Sequence, residues 1–119
     1  MGVTRLKREL DDNTKRYIEE ELLPLLRTGR ENCVSMSFLC TVLGISESTL
    51  KSVVLRAKKS GYIIARARTG EYRGYFIPKD DTELLDYYLR ERRHALSTLE
   101  SLTPVRRLLK EHGIDTGGK

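Results

Sequence analysis

The side chains able to do chemistry are spread unevenly along this sequence. Seven basic residues, Lys51, Arg56, Lys58, Lys59, Arg66, Arg68 and Arg73, fall between Ser46 and Ile77, opposed there by Glu47 and Glu71 alone. The formal net charge of the chain is +5, and this stretch accounts for all of it, because the remaining basic and acidic residues balance. A patch of one sign on a balanced background attracts a polyanion, whereas a merely solvated surface mixes its signs. Short hydroxyls, Ser46, Ser48 and Ser52, are interleaved with the bases. They can reach phosphate oxygens or base edges without holding the backbone away.

Other chemistries find less footing. His94 lies in a basic run and His112 near the end, and neither neighbours an acid or nucleophile in sequence. Glu19, Glu20 and Glu21 read as a helix face, and Asp80 with Asp81 as a helix cap, rather than as paired catalytic carboxylates. Gly117-Gly118-Lys119 is no phosphate loop, since the chain stops where the required helix should begin. The two cysteines, Cys33 and Cys40, are too few for a disulfide framework and lack nearby histidines for a zinc site. No catalytic residue, metal or cofactor is expected. No window approaches the roughly 18 apolar residues of a membrane span. The first residues, MGVTRLKRELDDN, have no apolar core and so do not form a secretory signal. A reducing, cytoplasmic setting is the expectation.

The elements that must position the basic stretch follow from periodicity and punctuation. At 119 residues the chain suits one core. Residues 1–12 read as a flexible lead-in and residues 13–78 as the folded domain. A helix is expected from Asn13 to about Arg27, with Tyr17, Ile18, Leu22, Leu25 and Leu26 inward and a kink at Pro24. Thr28 to Asn32 forms a loop, and Cys33-Val34 a very short strand. Ser35 caps a helix over Met36–Leu43 that Gly44 ends, and Ser46 caps a second reaching about Ser60. Two strands, Tyr62–Ala67 and Tyr72–Ile77, join through the turn Arg68-Thr69-Gly70-Glu71, and Pro78 closes the hairpin. Residues 79–112 form a helical extension. Its long helix runs from Thr82 to about Ser101 with Asp80 or Asp81 as cap, and a short one restarts at Thr103-Pro104. Residues 113–119 read as a disordered tail. The fold class is mainly α with a small β-hairpin.

The segment Met36 to Leu55 has the residue types of a helix-turn-helix. Leu39 and Leu43 pack the first helix, and Cys40 is small where the second crosses. Gly44 supplies the turn, Ile45 plugs the angle, and Leu50 and Val53 anchor the second helix. This pattern resembles the consensus of bacterial repressors. The run from Ser60-Gly61-Tyr62 to Arg73-Gly74-Tyr75-Phe76-Ile77-Pro78 resembles the winged-helix domain of the biotin repressor family. A closer likeness is to small helix-turn-helix proteins of phages and integrated elements of Gram-positive bacteria, with Gly29 to Asn32 ahead of the motif. The likeness spans about Leu22 to Leu99 and includes no biotin-ligase domain, so that activity is not implied. It implies a winged helix-turn-helix that binds double-stranded DNA.

On the second helix, Leu50, Val53, Val54 and Ala57 form the expected inward stripe. Ser46, Glu47, Ser48, Lys51, Ser52, Leu55, Arg56 and Lys59 are the candidate DNA-contacting residues. Lys51 can reach a guanine edge or a phosphate. Glu47 could accept from cytosine but is better explained by the helix dipole. Leu55 could meet a thymine methyl, although completing the core is the simpler reading. Arg66, Arg68 and Arg73 are the candidate wing contacts, chiefly to phosphate. Tyr62, Ile64, Tyr75 and Ile77 are expected to pack the hairpin.

The spacing of Leu85, Leu89, Arg92, Leu96 and Leu99 is that of a coiled-coil seam. It suggests a homodimer, which would place two recognition helices on successive turns of the duplex. Against it stands a helix folded back on its own domain through Leu84 and Tyr88. The expected role is transcription regulation in a phage or other mobile element. A replication-initiation accessory and a protein–protein adaptor are the alternatives.

Overall fold

The computed structural model describes residues 11–68 and 70–116. Asp11 opens the first helix: its carboxylate accepts the Thr14 N–H at 2.7 Å, which holds the acid below its ordinary value. Helix α1 spans Asp12–Tyr17, so two residues assigned to a flexible lead-in instead cap and begin a helix; residues 1–10 lie outside the described residues. The turns then widen over Ile18–Leu22, where Leu23 donates to the Ile18 carbonyl, and tighten to a 3-10 turn over Leu23–Leu25. Pro24 explains the change. It cannot donate, and its ring would press on the carbonyl four residues back in a regular helix. The helical run therefore ends at Leu25, not near Arg27. Ile18 and Leu22 are fully buried. The Tyr17 hydroxyl is buried with no hydrogen-bond partner among the described residues, and burial pushes its phenol up, with the Glu21 charge adding to the shift.

Helices α2 (Met36–Leu43) and α3 (Glu47–Lys59) carry the strongest local signals and form where expected. Ser35 Oγ accepts the Phe38 N–H at 3.1 Å. Gly44 takes φ 67 and donates to the Cys40 carbonyl at 2.8 Å, which Ile45 N–H also reaches at 3.1 Å. A side chain at Gly44 would meet nothing within 4 Å, so handedness alone favours glycine there.

The hairpin strands β1 (Ala65–Ala67) and β2 (Gly74–Phe76) pair antiparallel with Arg66 opposite Tyr75. They are shorter than the β-prone runs. Ile77, the next residue along β2, donates to the Arg27 carbonyl at 2.9 Å and accepts from Gly29 at 2.8 Å. Beyond it Pro78 has no N–H to extend a ladder. The Cys33-Val34 strand reduces to one bridge, in which Val34 and Tyr75 exchange hydrogen bonds of 2.8 and 2.9 Å. Gly74 is pressed against that bridge, where a Cβ would stand 2.2 Å from the Val34 carbonyl oxygen.

Helix α4 spans Asp81–Ser101. Asp80 is its cap, accepting the Glu83 N–H at 2.9 Å. The chain divides into two compact units inside this helix, after Leu84 rather than at residue 79. The first turn belongs to the first unit because the Glu83 carboxylate accepts the backbone N–H groups of Arg30 and Lys79, at 3.1 and 3.0 Å. Lys79 also pairs with Glu31 at 3.6 Å. The core of the first unit is Ile18, Leu22, Leu26, Val34, Leu39, Leu50, Val54, Ala57, Ile64 and Tyr75.

The second unit comprises the rest of α4 and α5 (Thr103–Glu111), with Pro104 in its first turn. Gly113, expected to open the tail, closes α5. It takes φ 77, and Ile114 N–H reaches the Leu109 carbonyl at 2.9 Å. Residues 117–119 lie outside the described residues. No single described helix is long and apolar enough to cross a membrane.

Candidate nucleic-acid interface

The frame of the site is set by the crossing of α2 and α3, which turn through 98° from one to the other. Leu39 and Leu50 are fully buried beneath the turn, with Leu43, Ile45 and Val53 packed around them. Val54 and Ala57 complete the buried stripe of α3. With that side closed, the helix presents its opposite side outward.

Ser46 holds the start of α3: its hydroxyl accepts the Thr49 N–H at 3.1 Å and donates to the Thr49 hydroxyl at 3.0 Å. Its Oγ is thus engaged in capping, although the residue is exposed. Glu47, Ser48, Lys51, Ser52, Leu55, Arg56 and Lys59 are all exposed as well. Ser48, Lys51, Ser52, Leu55 and Lys59 follow helical spacing along one face. Leu55 is 51% exposed, so the expectation that it completes the core is corrected. Leu50, Val54 and Ala57 already fill the inward stripe, and Leu55 lies a full helical step outside it. Arg56 is exposed but acts on the Asp11 carboxylate, a neighbour that sequence spacing does not reveal.

The hairpin sorts its three arginines. Arg68 and Arg73 are exposed beside the turn, while Arg66 is half-buried with its guanidinium 5.4 Å from the Tyr75 ring centre. This stacking fixes Arg66 against the strand pair. Thr69 lies outside the described residues. Tyr75 and Ile64 are buried, as hairpin packing required. Tyr62 donates to Glu19 at 2.6 Å, tying the exit of α3 to the first helical run. That bond raises the phenol above its ordinary value, because losing the proton would leave two anions in contact.

One cation was missed by the sequence reading. Arg30, in a 3-10 turn over Arg30–Asn32, stacks on Tyr72 at 5.9 Å and reaches toward Gly70 at the hairpin turn. No local pattern could have revealed a contact between segments so far apart in the chain. Charge adds up on this side of the molecule from two distant segments. Among the described residues no group of three or more His, Cys, Asp or Glu side chains gathers as a metal site, and Cys33 and Cys40 are free thiols.

No protein-family model, curated protein or solved structure matches this chain. The reading of the site therefore rests on its own geometry and charge.

Proposed function

We propose that this chain is a sequence-recognising double-stranded DNA-binding protein of the winged helix-turn-helix type. Its setting is the cytoplasm, with association to the nucleoid when bound. Its role is transcription regulation in a phage or other mobile element, as a homodimer and without catalysis. One observation carries the reading: α3 exposes a face of hydroxyls, lysines and one leucine, the hairpin that follows it in the chain exposes two arginines, and this stretch holds the whole net charge.

The chemistry follows from that face. Ser48, Lys51 and Ser52 near the start of α3 suit base edges and phosphates in a major groove. The exposed Leu55 suits a thymine methyl. Arg68 and Arg73 suit the flanking phosphates, with Arg30 adding to the hairpin's potential. Within this class, a replication-initiation accessory would use the same groups. The adaptor alternative draws on a different feature, the half-exposed Phe38 and Val42 on α2.

Titration against a pool of random duplexes at several salt concentrations tests the reading. Binding should weaken steeply with salt and enrich particular sequences. Lys51→Ala with Ser52→Ala should erode discrimination by about 1–3 kcal/mol. Arg68→Ala with Arg73→Ala should instead weaken all duplexes alike and flatten the salt slope by about one unit per lost phosphate contact. Binding without enrichment would favour the accessory role. Absence of binding at low salt, or double variants that bind as the parent does, would sink the DNA reading and leave the adaptor.

A further inference from the structure

Within the second unit the apolar face of α4 is left open. Leu85, Leu89, Leu96 and Leu99 are each between 43% and 62% exposed, and Arg92 among them is exposed too. The half-buried positions of the helix, Glu83, Tyr87 and Glu91, lie on the opposite side. Hydrocarbon at seam spacing with nothing over it calls for a matching helix.

The charges beside the seam choose the occupant and its direction. In heptad terms Leu89 and Leu96 are a positions, Leu85, Arg92 and Leu99 are d positions, and Asp86, Arg93 and Glu100 fall at e. A parallel, in-register pair would press Arg92 against Arg92 inside the seam. Its flanks would set Tyr88 beside Arg93 and Ala95 beside Glu100, with no ion pair. An antiparallel pair has three registers. Sliding it toward the end of α4 brings Arg93 against Arg93 and Asp86 against Glu100. Sliding it toward the start brings Asp86 against Asp86. The register between them sets Leu85 opposite Leu96 and Leu89 opposite Arg92, and it brings Asp86 beside Arg93 twice by symmetry. That register also overlaps nearly all 21 residues of α4.

We propose that α4 docks antiparallel on α4 of a second copy, with Leu89 facing Arg92 and Asp86 paired to Arg93 across the two-fold axis. Each Arg92 lays its aliphatic stem over the opposing Leu89 and extends its charge to water. Asp86 already binds Arg90 of its own helix at 2.9 Å, and a carboxylate has acceptor sites for a second arginine. The arrangement has a consequence for the function proposed above, on whose homodimer it rests. A helix of this length spans about 30 Å. Antiparallel pairing sends the two starts of α4, where the DNA-binding units attach, to opposite ends of the pair. Parallel pairing would bring them to about 8–10 Å.

Sedimentation equilibrium of the full chain, without DNA, tests the pairing. The parent chain should dimerise. Asp86→Arg and Arg93→Asp should each weaken dimerisation about tenfold, since two attractions become two repulsions. An equal mixture of the two variants should recover the parent affinity through a heterodimer. There the introduced arginine of one copy meets the introduced aspartate of the other, and the unchanged Arg93 and Asp86 meet at the symmetry-related position. Mixing cannot restore a helix that a substitution has damaged, so recovery reports pairing alone. A parent chain that stays monomeric, variants that dimerise as the parent does, or a mixture without recovery would each overturn the proposal. A monomer that still binds random duplexes would overturn the pairing and spare the DNA reading. An antiparallel dimer indifferent to duplex would do the reverse.

Discussion

Helices α3 and α4 are both amphipathic, yet folding leaves opposite sides of them open. In α3 the apolar stripe of Leu50, Val54 and Ala57 is buried in the core of the first unit, and the exposed remainder is basic and hydroxylic. In α4 the leucines themselves are exposed and no residue is fully buried. What a helix offers a partner is whatever its own chain has not consumed. For α3 that is charge and hydrogen-bonding capacity, which suits a polyanion. For α4 it is hydrocarbon flanked by an ordered set of charges, which suits a second helix.

Matched substitutions would break this contrast most sharply. Leu50→Ala should destabilise the first unit by about 2–5 kcal/mol, through lost burial and a residual cavity. Leu89→Ala, in chain too dilute to pair, should change stability by less than about 0.5 kcal/mol. Urea melts of both variants check this, and equal losses would show that the α4 face is covered within the single chain. A smaller effect compares the caps, for which the two helices should behave alike. Ser46→Ala and Asp80→Ala each remove an acceptor for a first-turn N–H, at a cost of about 1 kcal/mol by thermal melting. A near-zero loss at Asp80 would mean that the Glu83 contacts alone hold the start of α4. The smallest effect is at Leu55. Leu55→Ala should leave stability within about 0.5 kcal/mol of the parent and should lower discrimination at thymine-containing sites; a core-sized loss of stability would contradict its exposure.

Part of this was legible in the residues. Caps at Ser35 and Ser46, the glycine at position 44, and the spacing of Leu39, Leu50 and Val54 acted within a few residues of one another, and the elements they encode formed at the expected places. The strand lengths were not legible, because Ile77 spends its backbone groups on Arg27 and Gly29 instead of on β1. The fate of Leu55 was not legible either. Helical spacing set it on the outward face while its hydrocarbon argued for the core, and the filled stripe of Leu50, Val54 and Ala57 decided it.

By itself, the sequence determined the main helices, the hairpin, their order and the confinement of net charge to the stretch from Ser46 to Ile77, since propensity, capping and charge are properties of neighbouring residues. The tertiary structure decided what each exposed group has beside it. It set Arg66 over Tyr75, brought Arg30 to the hairpin turn, placed Arg56 near Asp11 and put the division of the chain inside α4. Those contacts join residues far apart in the chain, and their geometry exists only once the core has closed.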